Sequence, residues 1–90
     1  MFYVSDHSIQ ISMRQITRWM KAAKQDNHPG VMVLHINYAM GNIVMLREMV
    51  NDQRIKKVTG IDPFDLYAKI ATIQDKAQNK LLKLCPGLNL

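Results

Sequence analysis

The residues able to do chemistry are few: three histidines (His7, His28 and His35), one cysteine (Cys85) and seven carboxylates in 90 residues. Two histidines on a common element would suggest a metal. His28 and His35 are seven positions apart, a rise of ~10 Å on a helix, whereas two ligands of one zinc must each come within about 2.1 Å of it. No HxxxH, HxH or CxxC pair occurs. The expectation is therefore no metal site and no cofactor. His35 reads as a hydrogen-bonded, partly buried histidine at a subunit contact.

Asp62 and Asp65 resemble an acid/base pair, but they stand at the head of an apolar-periodic segment, where Asp62 caps and Asp65 meets the positive end of the macrodipole. Glu48 and Asp52, spaced i,i+4, would share a helical face. Pairing with Arg47 or with the basic segment that follows accounts for both, at a few tenths of a kcal/mol per pair. Cys85, beside Leu84 at the end of an apolar stripe, reads as a buried structural thiol. A nucleophile needs a base and an orienting group, and none can be assigned. No P-loop, GxGxxG or GxSxG motif occurs, so no catalytic residue and no small-molecule ligand is expected. The enzymatic alternative is a site shared between subunits around His35 and Tyr38.

Charge gives a second kind of chemistry. Twelve basic against seven acidic side chains leave a net +5. Arg14, Arg18, Lys21 and Lys24 lie in a stretch, Ser8 to Gln25, with no acid at all. Such a face can lie along phosphates, with Trp19 at its flank to stack on a base. The plainer account is a solvated helix face with Trp19 in the core. Helix-turn-helix, zinc-finger and RNA-binding signatures are missing.

The elements that must position these residues follow from spacing. Ile9, Met13, Ile16, Met20 and Ala23 make an amphipathic stripe over 8–25, with Ser8 or Ser12 as its cap. The turn residues Asp26-Asn27-His28-Pro29-Gly30 end it. A third helix over 62–85 opens with Asp62 as cap and Pro63 at the first position. It carries the stripe Leu66, Ile70, Ile73, Ala77, Leu81 and Leu84, with Ile61 and Leu66 as a staple. Pro86-Gly87 closes it.

Between them VMVLHINYAMGNIVML, residues 31–46, holds no charge. Sixteen helical residues rise ~24 Å against ~30 Å of hydrocarbon core, which argues against a membrane span. A strand over 31–38 would find its only partner in residues 1–4, and a two-stranded sheet is marginal. The spacing predicts a helix over about 31–55. The segment Asn51 to Gly60 either continues it or forms its own short turn, with Gly60 as a C-cap.

Wrapped as a helix, the middle segment is apolar on opposite sides: Leu34, Tyr38 and Met45 on one, Ile36, Met40, Ile43 and Val50 on the other. Two amphipathic neighbours cannot cover it all. The expectation is an all-α domain over 1–90, three main helices packed mainly antiparallel and completed by homo-oligomerisation, a dimer first of all, through Ile36, Met40, Ile43 and Val50. Gly41 either kinks the helix or permits close backbone approach. The six methionines after the first are assigned to core faces. Composition, 48% hydrophobic and 21% charged, excludes a disordered chain. Met1-Phe2-Tyr3-Val4 is too short for a secretory signal and reads as a packed tail. With one cysteine the expected setting is cytoplasmic. Function, on these terms, is that of a small interaction or accessory protein, with nonspecific nucleic-acid binding through helix one as the alternative.

Overall fold

The computed structural model describes residues 3–88; Met1 and Phe2 of the proposed tail lie outside the described residues. The described chain forms four helices: α1 Asp6–Gln25, α2 Pro29–Met49, α3 Asp52–Thr59 and α4 Pro63–Leu84. The all-helical expectation stands, and residues 31–38 are helix rather than strand. The expected long second helix, however, is two helices.

Local chemistry explains the break. Val50 is extended (φ −136°, ψ 137°) and buried, and Asn51 behind it caps α3 by accepting the Arg54 N–H at 2.8 Å. A side chain that accepts from the third residue on offers the backbone a fresh start. Helix α3 ends at Gly60 in the left-handed region, φ 74°, where a residue without Cβ is unstrained. Two residues later Asp62 accepts from the N–H groups of Phe64 and Asp65, with Pro63 in the first turn, as the sequence implied. At the other end the cap is Ser5, whose hydroxyl accepts the Ser8 N–H at 3.1 Å. Neither Ser8 nor Ser12 caps α1; Asp6, in the first turn, lets the helix begin earlier.

Helix α2 lies between α1 and α4, which touch each other little, and α3 packs mainly on α1. The three-residue connection after Gln25 makes α1 and α2 antiparallel neighbours. Asn37 meets Gln74 while Arg47 meets Phe64 and Tyr67, so α4 also runs antiparallel to α2. Ile9, Met13, Ile16 and Ala23 from α1, Met32, Ile36, Ala39, Ile43 and Leu46 from α2, Ile55 from α3, and Leu66, Ile70 and Ala77 from α4 fill one core. Each large side chain there contributes about 1.5–3 kcal/mol of transfer free energy. Arg54 ties the N-terminal segment down, donating to the Val4 carbonyl at 2.6 Å and to Asp6 at 2.9 Å.

Two expectations at the C-terminal end fail for one geometric reason. Leu84 and Cys85 are exposed, not buried. With Gln74 opposite Asn37, a run of seven residues either way brings Leu81 level with Gly30. The last turn of α4 therefore runs past the start of α2: Leu81 and Leu82 are still half-buried, and Leu84 lies beyond that cover.

Candidate interaction surface

His28 and Pro29 start α2: the histidine Nδ1 accepts the Gly30 N–H at 3.0 Å, and proline at the first position gives up no helical hydrogen bond. From there the helix runs unbroken through Gly41 to Met49, so the glycine does not interrupt it. Side chains at i, i+3, i+4 and i+7 share a face. Met32, Ile36, Ala39, Ile43 and Leu46 form the buried one. Val31, Leu34, Tyr38, Met45 and Met49 form another on the far side, and all five are exposed, the last four by 45–58%. Gly41 and Asn42 lie within that second stripe, which is ~27 Å long and free of charge until Glu48 at its edge.

The interface expected from sequence therefore faces the wrong way. Ile36, Ile43 and Val50 are core residues, and Met40 is half-buried against them. The side left open is that of Leu34, Tyr38 and Met45. Methionine assignments shift with it: Met13 and Met32 are buried, while Met45 and Met49 are open. One signal in the sequence distinguishes the two sides. The inner stripe has no polar member, whereas the outer one includes a tyrosine and is bordered by a glutamate, types less often fully buried than Ile, Leu, Met or Ala.

Polar contacts pin both flanks of α2 and so fix its rotation. Toward α1, His35 Nδ1 lies 2.6 Å from Asp26 Oδ2. The Trp19 ring packs on His35 and edge-on against Tyr38, with centroids 5.2 and 5.1 Å apart. Toward α4, Gln74 donates to Asn37 at 2.8 Å. At the C-terminal end Arg47 gives a two-pronged pair of hydrogen bonds to Asp52 at 3.1 and 2.9 Å and faces the Phe64 and Tyr67 rings at 5.7 and 5.5 Å. That hydrogen bonding to Asp52 holds the Arg47 guanidinium above its ordinary pKa, against a smaller opposing effect of burial. The Asp52 carboxylate thus belongs to α3 and pairs with Arg47, and Glu48 lines the same open hollow beside Val44 and Tyr67.

Gly41 is the anomaly of the open stripe. A mid-helix glycine costs about 1 kcal/mol relative to alanine. A Cβ built on it would meet nothing within 4 Å. Packing within the chain therefore places no demand for glycine there.

The basic residues divide. Arg14, Arg18 and Lys21 line an open hollow on the outer face of α1 with Thr17 and Gln25. Lys24 is turned toward α4 instead, beside Lys69, Thr72 and Ile73. None of the four has an ion-pair partner among the described residues. Trp19 is partly buried between α1 and α2, with Arg18 5.5 Å from its ring centroid. Among the described residues no group of three or more His, Cys, Asp or Glu could hold a metal ion. Asp26 orients His35, and the pair joins the α1–α2 connection to α2.

By length and composition alone, the 21 residues of α2 reach what a bilayer crossing needs, so the length of the uncharged stretch does not decide that question. Its packing is the relevant observation: the inner stripe is covered by two helices whose own outer faces are charged. The chain matches no protein-family model, no curated protein and no solved structure.

Proposed function

We propose that the chain is a small, non-enzymatic helical interaction or accessory protein that self-associates as a dimer through the open side of α2. The observation that carries this reading is the uncharged stripe of Val31, Leu34, Tyr38, Met45 and Met49, left uncovered by the chain's own helices. Roughly 500 Å² of apolar surface is exposed there and at Val44, toward the upper end of the largest patch found on ordinary monomers, a patch that is often functional. Burying it would supply on the order of 10 kcal/mol of transfer free energy, much of it offset by lost translational and side-chain freedom. The expected result is a micromolar-range dimer in a reducing, cytoplasmic setting.

Sedimentation velocity tests it directly. The mass should be twice 10.4 kDa at tens of micromolar, and Met45→Glu should return it to the monomer with helical circular dichroism unchanged. A wild-type monomer throughout that range refutes the reading.

The second reading is nonspecific binding of nucleic acid along α1. Arg14, Arg18 and Lys21 support it, because they share one hollow and lack acidic partners among the described residues. Three phosphate contacts would give a salt slope of about −2 to −3 in log K against log salt. No binding of a fluorescent duplex or single strand at low salt removes it.

A further inference from the structure

Which copy-to-copy geometry the open face allows is decided by two residues one turn apart, Tyr38 and Gly41. Resting on the self-association reading above, we propose that two α2 helices pair antiparallel about a two-fold axis, each Tyr38 ring lying over the partner's Gly41.

Gly41 gives the first argument. Its missing side chain relieves no contact inside the chain, so any packing consequence falls on whatever lies outside the chain. Tyr38 is the largest side chain of the stripe, and its exposed part has no cover from its own chain. The stripe thus carries one protrusion and one depression at i and i+3.

Symmetry gives the second. A two-fold contact is self-complementary: if one residue touches another across it, the reverse contact is made too. Antiparallel α2 helices with Tyr38 opposite the partner's Gly41 bring Leu34 opposite the partner's Met45 and Val31 level with the partner's Glu48 and Met49. Both protrusions enter both depressions. A parallel, in-register pair sets Tyr38 against Tyr38 and Gly41 against Gly41, crowding one turn and leaving a void in the next, which close-packed interfaces do not hold.

Charge complementarity is the third. The first turn of α2 contains no acidic residue, and Glu48 has no ion-pair partner among the described residues. In the antiparallel pair each Glu48 carboxylate reaches the positive end of the partner's α2 dipole. The parallel pair would place Glu48 against Glu48. Area agrees: two stripes bury roughly 1,000 Å² together, the lower bound for a specific contact, before the α1 and α4 rims add to it.

The test uses full-length chains carrying Cys85→Ser. Leu34→Cys and Met45→Cys chains are oxidised mildly, separately and mixed, and resolved without reductant. Antiparallel pairing predicts at least tenfold more cross-linked dimer in the mixture than in either variant alone. Equal cross-linking of each variant by itself overturns it. Gly41→Leu, a better helix former, should leave the monomer's denaturation midpoint unchanged or higher and weaken association at least thirtyfold. Unchanged association of Gly41→Leu overturns the tyrosine-over-glycine contact. Either failure with a dimeric wild-type mass leaves self-association standing; a monomeric wild type removes both.

Discussion

The two long sides of α2 are built from the same kinds of residue and have opposite fates. Met32, Ile36, Ala39, Ile43 and Leu46 are covered, whereas Val31, Leu34, Tyr38, Met45 and Met49 are open. Hydrophobicity separates them only slightly, through Tyr38 and the bordering Glu48 on the open side. The flanks add a directional preference: Asp26 holds His35 on one side, and Gln74 holds Asn37 on the other. Together they fix the rotation of the helix about its axis. A non-directional driving force collapses the bundle, and a few directional bonds choose which apolar side goes in.

The largest expected effect contrasts a charge on the two sides. Ile43→Glu buries an unpaired carboxylate at a position with no solvent access. It should cost more than about 4 kcal/mol and leave the chain unfolded at room temperature. Met45→Glu, two residues on, should leave the monomer's circular dichroism and urea midpoint nearly unchanged. Equal sensitivity of both positions, measured below the association concentration, would erase the distinction between the sides.

Truncation repeats the contrast at lower amplitude. Ile36→Ala should destabilise by about 2–5 kcal/mol, through lost transfer energy and the cavity left behind. Leu34→Ala should shift monomer stability by less than about 0.5 kcal/mol. Urea denaturation at two protein concentrations separates the terms, because under the proposed self-association the Leu34 effect should grow with concentration.

That contrast also marks where the sequence was legible. Caps written in local chemistry were readable: Asp62 with Pro63, and Gly60 at the end of α3. So were the stripes of α1 and most of α4, where a polar face left one choice of burial. On α2 the apolar residues surround the helix, so periodicity named no inner side, and Ile36, Met40, Ile43 and Val50 were assigned outward. The break at Val50 was hidden because Asn51 resembles an ordinary polar helix residue until its side chain is seen accepting from Arg54. Lys24 was grouped with Arg14, Arg18 and Lys21 by charge, but three further residues of helical rotation carry it round toward α4.

The pins that choose the inner side come next in size. Arg47 joins α2 to α3 through Asp52 and to α4 through two aromatic rings. Arg47→Ala should cost about 1 kcal/mol, since the pair is partly exposed and screened by water. Its guanidinium pKa is raised from a value already beyond the accessible range. The group is charged in both folded and unfolded chains, and its own titration opens no pH window of stability. Arg47→Lys should recover less than half of the loss, because an ammonium cannot reproduce the two-pronged hydrogen bond or the stacking. Full recovery would mean that charge alone matters at this corner.

One further effect has the opposite sign and is the finest probe of the two sides. Gly41→Ala adds a methyl where nothing lies within 4 Å and removes backbone freedom from the unfolded chain. It should stabilise the monomer by about 0.5–1 kcal/mol. Ala39→Gly, two residues away on the covered side, makes the reverse change where the methyl is fully buried. It should cost about 1 kcal/mol in helix propensity and up to about 1 kcal/mol more in lost burial. Both can be read from urea midpoints in dilute solution. Were Gly41→Ala to destabilise the monomer, the backbone at that turn would have to be in close contact with its own chain, and the open side of α2 would be closed.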